Sequence, residues 1–359
     1  MAFSDIVGQT KAKAILHAAL THDRLAHAYL FFGPAGVGKE FTALELAKAL
    51  NCQTQEDDAC DQCVTCRKIR TFNHPDVKLV FPTPSDFSVA DMNAFLQEKA
   101  ADPTLDYHVD KPMSLSIDTV RALQKEAAYK PYEARKKCYI LLEVDRMTVP
   151  AANAFLKTLE EPPSHTQFIL TTSNIRGLLD TIVSRCQAVQ FTPLSAEEIE
   201  HALIASHQFD PAEARLAARL ANGSLGEALK AQDHQLVETR NQALQIMDAA
   251  FSNQAIEFLT YIEKMGKTRN RNLIIQLLDV LQLWYRDLMM MKEFDDADRV
   301  ANLDQLDRIH RESDRLSMNA VMASIQIIET IKADIRQNVN VQLALTVLLL
   351  RLRKARLLS

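Results

Sequence analysis

The sequence predicts an α/β domain, with a parallel sheet covered by helices on both faces, followed by an all-helical region. Short apolar runs alternate with helical patterns up to residue 191, which is typical of a mostly parallel sheet. A glycine-rich loop directly follows the first apolar run and leads into a helix, as phosphate-binding loops do. After Pro193 the strand-like runs stop, and the remaining patterns are helical.

The composition is that of a globular protein without a basic excess. The 359 residues suffice for two or three domains. The 41 basic and 46 acidic side chains give a net charge of −5, so strong autonomous DNA binding is not expected. Residues 1–5 lack a basic stretch before an apolar run, so we expect no signal peptide and a cytoplasmic protein.

Five apolar runs are predicted to form the sheet, namely residues 28–32, 77–81, 138–142, 168–172 and 188–191. Helices are predicted between them at residues 41–50, 119–129 and 151–160. Residues 82–113 are rich in Asp and Pro and interrupt the alternation, so we interpret them as a surface insertion with a short helix at 91–100.

Helices are also predicted at residues 196–206 and 211–221, at a third segment opened by residues 223–226, and throughout the region after residue 235. One of the later helices carries apolar residues at steps of four and three, which form a single face. These residues are Ile274, Leu278, Leu281, Tyr285 and Leu288. Such a stripe is most often core and less often a surface that binds a partner.

The glycine-rich loop, residues 33–40, departs from a working phosphate-binding loop at its last position. In the pattern G-x-x-x-x-G-K-[ST], backbone N–H groups cradle phosphates, the Lys reaches the terminal phosphates and the hydroxyl holds Mg²⁺. Gly33, Gly38 and Lys39 match this pattern, and Gly36 adds a third glycine. The hydroxyl position holds Glu40, which would bring negative charge close to the phosphates.

The third predicted strand departs from the ATPase pattern at a second position used by Mg²⁺. In P-loop ATPases this strand ends in an Asp that holds the ion, followed by a Glu that activates water. Here Leu142 takes the place of the Asp, and Glu143 remains. Two changes at the same ion argue against hydrolysis, and Glu143 could equally be a helix-capping or ion-pairing carboxylate.

Four cysteines lie close together in the sequence as Cys52-x7-Cys60-x2-Cys63-x2-Cys66. Four thiolates at short spacing suit a tetrahedral Zn²⁺ that is structural, because no open ligand position is evident. Chance clustering, a dithiol redox pair and an iron–sulfur cluster are the alternatives.

Arg185 lies between an apolar turn and the last predicted strand, which places it at a sheet edge or subunit surface. A solvated or salt-bridged side chain is the simple interpretation. An arginine finger that acts on a neighbouring subunit is the alternative.

Several segments resemble bacterial DNA polymerase III clamp-loader subunits of the AAA+ class. They are residues 3–9, 25–31, the four-Cys knuckle, 153–163 with its Leu-Glu-Glu-Pro-Pro sequence, 184–186 with Ser-Arg-Cys, and 335–340. The resemblance covers nearly the whole chain. It implies an AAA+ domain over 1–193, with the knuckle at 52–66 and the insertion at 82–113. A helical lid would follow over 194–234, and a collar that holds a ring of five subunits over 235–359.

That family contains ATP-hydrolysing gamma or tau subunits and a delta-prime subunit that in many bacteria does not hydrolyse ATP. The lid helix of the ATPases opens with an Arg that senses nucleotide, and Gly226 stands at this position. Together with Glu40 and Leu142, this change resembles delta-prime. The resemblance favours Arg185 as an arginine finger in trans. The alternative to a delta-prime-like subunit is an ATP-hydrolysing gamma/tau-like subunit.

The expected partners follow from the same resemblance. They are the gamma/tau and delta subunits, and through the complex the sliding clamp and primed DNA, without a membrane. Structural Zn²⁺ is the expected cofactor, with ATP and Mg²⁺ bound weakly or not at all. Any nucleotide would contact a degenerate site made of Gly33, Gly36, Gly38, Lys39 and Glu143.

Overall fold

The computed structural model describes residues 2–103, 105, 107, 111–230, 235–251, 271–295, 297, 300–336 and 339–356. The chain forms two compact units, Met1–Glu198 with Gly223–Gly226, and Ile199–Asn222 with Glu227–Ser359. The division into AAA+, lid and collar domains stays a prediction. The helical pattern expected at 252–270 and the resemblance at 337–338 lie outside the described residues.

The first unit contains a five-stranded sheet in the order β2-β3-β4-β1-β5. Its strands are β1 Ala28–Phe32, β2 Val77–Val80, β3 Lys137–Leu141, β4 Thr166–Thr172 and β5 Gln187–Gln190. Every neighbouring pair is parallel, as predicted, and Leu30 of β1 lies opposite Leu170 and Ala188.

Helices lie between the strands and continue beyond them. Up to residue 229 they are α1 Thr10–Thr21, α2 Lys39–Asn51, α3 Val64–Arg70, α4 Val89–Ala101, α5 Ile117–Ala127, α6 Val149–Glu160, α7 Asp180–Val183, α8 Ala196–His207, α9 Pro211–Leu220 and α10 Leu225–Leu229. Helices α4, α5 and α6 begin two residues before the predicted start because polar side chains cap them. Ser88, Ser116 and Thr148 accept hydrogen bonds from the first turns of α4, α5 and α6.

Both faces of the sheet are buried at β1, β3 and β4, which explains why these strands are nearly continuous apolar runs. Successive side chains of β1 point to opposite faces. Tyr29 and Phe31 join one apolar cluster with Leu46 of α2. Leu30 joins the other, with Phe155 of α6. The predicted fold of a parallel sheet with helices on both faces is therefore confirmed.

Residues 82–113, expected to be a surface insertion with a short helix, also contribute to the core. Phe95 of α4 is buried in the sheet's apolar cluster. Its ring lies 4.8 Å from Phe81 and 5.2 Å from Tyr107, measured between ring centroids. Aromatic packing of this kind ties the insertion to the core and fixes the position of α4.

The regular elements in the described part of the second unit are all helices. Its later helices are α11 Gln235–Phe251, α12 Arg271–Phe294, α13 Leu306–Arg315, α14 Met318–Arg336 and α15 Val341–Arg356. All five residues of the predicted apolar stripe on α12 are buried in the core of this unit, so the stripe is core. Among the described helices, none is both long and apolar enough to cross a membrane.

Candidate functional site

The glycine loop connects the end of β1 to the first residue of α2. Gly33, Gly36 and Gly38 all have positive φ angles, of 146°, 69° and 96°, which side chains rarely tolerate. A Cβ atom at Gly36 would lie only 2.0 Å from Oγ of Ser224. The loop therefore needs glycine for its conformation and for the close approach of its neighbour.

The side chain of Lys39 is directed at the carbonyl groups of its own loop. Its ammonium donates hydrogen bonds to the carbonyl oxygen of Gly33, at 2.8 Å, and to that of Pro34. Lys39 is buried, and burial lowers its pKa to about 8, although the charges of Asp145 and Glu143 oppose this shift. The Lys39 ammonium, which would reach a phosphate in a working loop, is thus hydrogen-bonded within the protein.

Glu40 forms an ion pair with Lys99 from the insertion. The Lys99 ammonium lies 2.9 Å from Oε1 of Glu40, and its side chain is only 3% exposed. It also donates to the carbonyl oxygen of Leu105 at 2.7 Å. The negative charge expected next to the phosphates is therefore offset by a buried cation. The sequence pattern gave no sign of Lys99, because the insertion was expected to lie at the surface.

Glu143 makes an ion pair, one of the two roles left open for it. It follows β3 with a positive φ of 47°, and its carboxylate lies 3.0 Å from the guanidinium of Arg146. Leu142 lies partly buried against the apolar cluster that contains Tyr29 and Phe31. The end of β3 therefore presents an apolar side chain where an ATPase presents an Asp.

Asp145 is a site residue that the sequence analysis missed. Its Oδ1 accepts a hydrogen bond of 2.6 Å from the Thr172 hydroxyl at the end of β4. The Thr172 oxygen in turn accepts from the backbone N–H of Asn174. The negative charge of Asp145 opposes the lowering of the Lys39 pKa by burial, so this carboxylate belongs to the same site. A carboxylate shortly after a strand was the available signal.

Gly226 contacts the glycine loop through its backbone. Its N–H donates to the Gly36 carbonyl oxygen at 2.9 Å, and a Cβ atom on Gly226 would lie 3.1 Å from the Gly36 Cα. An arginine here would therefore crowd the loop, so the residue both lacks a charge and permits close contact.

Arg185 lies between α7 and β5 with both guanidinium ends held. One terminal nitrogen donates to the Thr181 carbonyl oxygen at 3.0 Å, and the other donates to Oε1 of Glu160 at 2.8 Å. The side chain is about one third exposed. Arg185 is therefore salt-bridged and still reaches the surface of its unit.

The four sulfur atoms of Cys52, Cys60, Cys63 and Cys66 lie within 4.8 Å of one another and could hold a metal ion. Zinc at 2.3 Å from each sulfur would place the sulfurs roughly 3.8 Å apart. The backbone N–H of Cys63 donates to the Cys60 sulfur, and that of Cys66 donates to the Cys63 sulfur. A hydrogen bond from Thr54 lowers the pKa of Cys60 to about 6, whereas burial raises the pKa of Cys66.

The parallel sheet, and the glycine loop between its strand β1 and helix α2, define an α/β protein of the P-loop class. A family model described as "DNA polymerase III, delta subunit" matches residues 8–196. A second, described as "DNA polymerase III, delta subunit, C terminal", matches residues 218–354. The chain belongs to this family of DNA polymerase III clamp-loader subunits.

Curated relatives include subunits of two kinds. The delta' subunit of DNA polymerase III from Bacillus subtilis is 30% identical over 93% of this chain and 93% of its own length. The tau subunit from the same organism is 27% identical over 91% of this chain but only 57% of its own length. The tau subunit of Escherichia coli is 33% identical over 71% of this chain and 35% of its own length.

Solved structures give a weaker likeness. A gamma subunit-related protein of DNA polymerase III from Thermotoga maritima is 17% identical, with 95% of this chain and 99% of that chain covered. The TM-score is 0.42, and a likeness at this level supports no conclusion about this chain.

Proposed function

We propose that this chain is a non-hydrolysing, delta-prime-like subunit of the clamp loader. It would assemble with gamma/tau and delta subunits in the cytoplasm and help to load the sliding clamp onto primed DNA. The observation that carries the proposal is the Glu40–Lys99 ion pair. It occupies the position at which a phosphate-binding loop offers a hydroxyl to Mg²⁺.

Three further features support the absence of hydrolysis. The Lys39 ammonium is bonded to the carbonyl oxygens of its own loop, so binding a phosphate would require it to leave them. Leu142 offers no oxygen to a metal. Gly226 offers no charge to a γ-phosphate and lies against Gly36.

Arg185 is proposed to act as an arginine finger on the neighbouring ATPase subunit. A guanidinium donates up to five hydrogen bonds, and two of the nitrogens of Arg185 are each held by one protein acceptor. The remaining N–H groups have no protein acceptor in the described part of the chain. Such a group stabilises the charge that develops on a γ-phosphate during its transfer.

The four cysteines are proposed to hold one structural Zn²⁺. The donor set of four sulfurs, two of them receiving backbone N–H groups, suits this ion. Zinc bound there would cross-link the end of α2 to the start of α3, and it would have no catalytic role.

An ATP-hydrolysing gamma/tau-like subunit is the second candidate, because the E. coli tau subunit is 33% identical over its matched part. In such a subunit Mg²⁺ would have to be held without the aspartate that Leu142 replaces, and Glu40 would have to be released from Lys99.

The test combines assembly with ATP turnover. The chain is mixed with the ATPase subunit and the delta subunit of the same cell, the complex is isolated, and hydrolysis is measured with and without this chain. We expect no turnover by the isolated chain and a higher rate in the complex that contains it. Turnover by the isolated chain that Lys39→Ala abolishes would establish the motor alternative instead.

A further inference from the structure

Glu160 and Arg185 form an ion pair between two separate helical segments. Glu160 is the last residue of α6, and Arg185 follows α7. Oε1 of Glu160 lies 2.8 Å from a terminal nitrogen of Arg185. We propose that Glu160 is the positioning residue for Arg185, an inference that rests on the proposed role of Arg185 as an arginine finger.

The two acceptors of Arg185 fix the plane of its guanidinium. Glu160 holds one terminal nitrogen and the Thr181 carbonyl oxygen holds the other. A planar group held at two separate points has a defined orientation, and its remaining donors have no protein acceptor in the described residues. The long side chain is thereby placed for contact with a group outside this unit.

Both acceptors belong to rigid segments. Phe155 and Leu159 anchor α6 in the core below Glu160, and Ile182 anchors α7 next to Thr181. Buried anchors of this kind keep the backbone at Glu160 and the Thr181 carbonyl at a constant separation. The two segments that hold Arg185 are therefore fixed by the core of their own unit.

Stability does not explain the Glu160 carboxylate. Its side chain is half exposed and that of Arg185 about one third exposed, and exposed ion pairs contribute little to folding. A carboxylate at the last residue of a helix also faces the negative end of the helix dipole. The carboxylate at this place is therefore best accounted for by what it does to Arg185.

The test uses the assembled loader, and five variants are compared with the wild type. They are Glu160→Ala, Glu160→Gln, Glu161→Ala, Arg185→Ala, and Glu160→Ala combined with Arg185→Ala. Glu161 is the matched control, because it is adjacent and exposed and its side chain makes no ion pair in the described residues. The measurements are assembly by size-exclusion chromatography, and kcat and KM for ATP.

We expect Glu160→Ala to lower by about tenfold the part of kcat that is lost in Arg185→Ala. Misplacing a catalytic group has effects of this size or larger. KM and assembly should be unchanged. Glu160→Gln should recover part of the rate, because its amide oxygen still accepts the hydrogen bond. Glu161→Ala should behave as wild type, and Glu160→Ala combined with Arg185→Ala should be no slower than Arg185→Ala.

Three results would overturn the inference. The first is a wild-type or increased kcat in Glu160→Ala while Arg185→Ala is slow. The second is a Glu160→Ala variant that loses assembly but keeps its kcat. The third is a loss of kcat in Glu161→Ala equal to that in Glu160→Ala. In each of them the arginine finger would stand without its positioning residue. A wild-type rate in Arg185→Ala would instead overturn the proposed arginine-finger role on which the inference rests.

Discussion

The buried ammonium of Lys99 in α4 lies 2.9 Å from the Glu40 carboxylate in the first turn of α2. This contact joins the insertion to the end of the glycine loop. It places a protein cation close to the point at which a working loop and its hydroxyl hold Mg²⁺. The departure at Glu40 is therefore compensated within the fold.

We predict that Glu40→Thr, which restores the hydroxyl, destabilises the protein. It would leave the buried Lys99 ammonium without its carboxylate, and losing one partner of a buried pair is costly. The expected decrease in the free energy of unfolding is about 2 kcal/mol, measured by urea denaturation.

Two variants control this prediction. Lys78→Met breaks the exposed pair of Lys78 with Glu126 and should cost less than about 1 kcal/mol. Glu40→Thr combined with Lys99→Met should be more stable than Glu40→Thr alone, because the buried charge is removed with its partner. An unchanged stability in Glu40→Thr would show that the pair contributes nothing.

Lys39→Met should leave ATP turnover by the assembled loader within about twofold of wild type. Lys39 is bonded to its own loop, so no phosphate contact would be lost. The matched control is the same substitution in the P-loop lysine of the partner ATPase subunit, which should abolish most turnover. A comparable loss with Lys39→Met would mean that this loop holds a nucleotide.

Metal analysis should find about one Zn²⁺ per chain, and Cys63→Ser should lose it. The sheet should remain folded, because the knuckle forms a small cluster of its own, and circular dichroism would show this. Cys186→Ser is the control, since Cys186 lies outside the cysteine group and should leave the zinc in place. Global unfolding on removal of zinc would contradict a local structural role.

Asp76 should stabilise the fold at neutral pH and lose this effect in acid. Burial alone would raise its pKa, but backbone N–H groups of Glu133, Tyr132 and Ala134 outweigh burial and hold the pKa below its usual value. A lowered pKa means that the stabilisation is present above about pH 4 and lost as pH falls through the folded pKa.

Asp76→Asn should therefore cost about 2 kcal/mol at pH 7 and less as the pH falls below about 4 and through the folded pKa. The measurement is urea denaturation at pH 7 and at the lowest pH at which the protein stays folded. Asp118→Asn, at an exposed site, should have a smaller effect. A loss for Asp76→Asn that is the same at both pH values would show that ionisation of Asp76 is not its cause.

The strands and helices of the sheet could be predicted because their signals are local. Apolar runs such as 28–32 and the glycine loop after them identify β1 and α2, and capping by Ser116 or Thr148 accounts for shifts of two residues. Burial on both faces and the four-Cys group also follow from patterns within short segments.

Contacts between distant segments could not be predicted. The partners of Glu40 and Arg185 are Lys99 and Glu160, and neither pair shares a helix face or a strand register. The polar composition of residues 82–113 concealed Phe95, whose burial brings α4 to the loop. Tertiary packing of this kind leaves no periodic trace in the sequence.

The most direct measurement is ATP turnover by the loader assembled with Arg185→Ala in this chain, next to Arg176→Ala as an exposed control. The account predicts intact assembly and a loss on the order of 10³-fold at the neighbouring ATP site, with Arg176→Ala unchanged. A fully assembled Arg185→Ala loader that turns over ATP at the wild-type rate would contradict it.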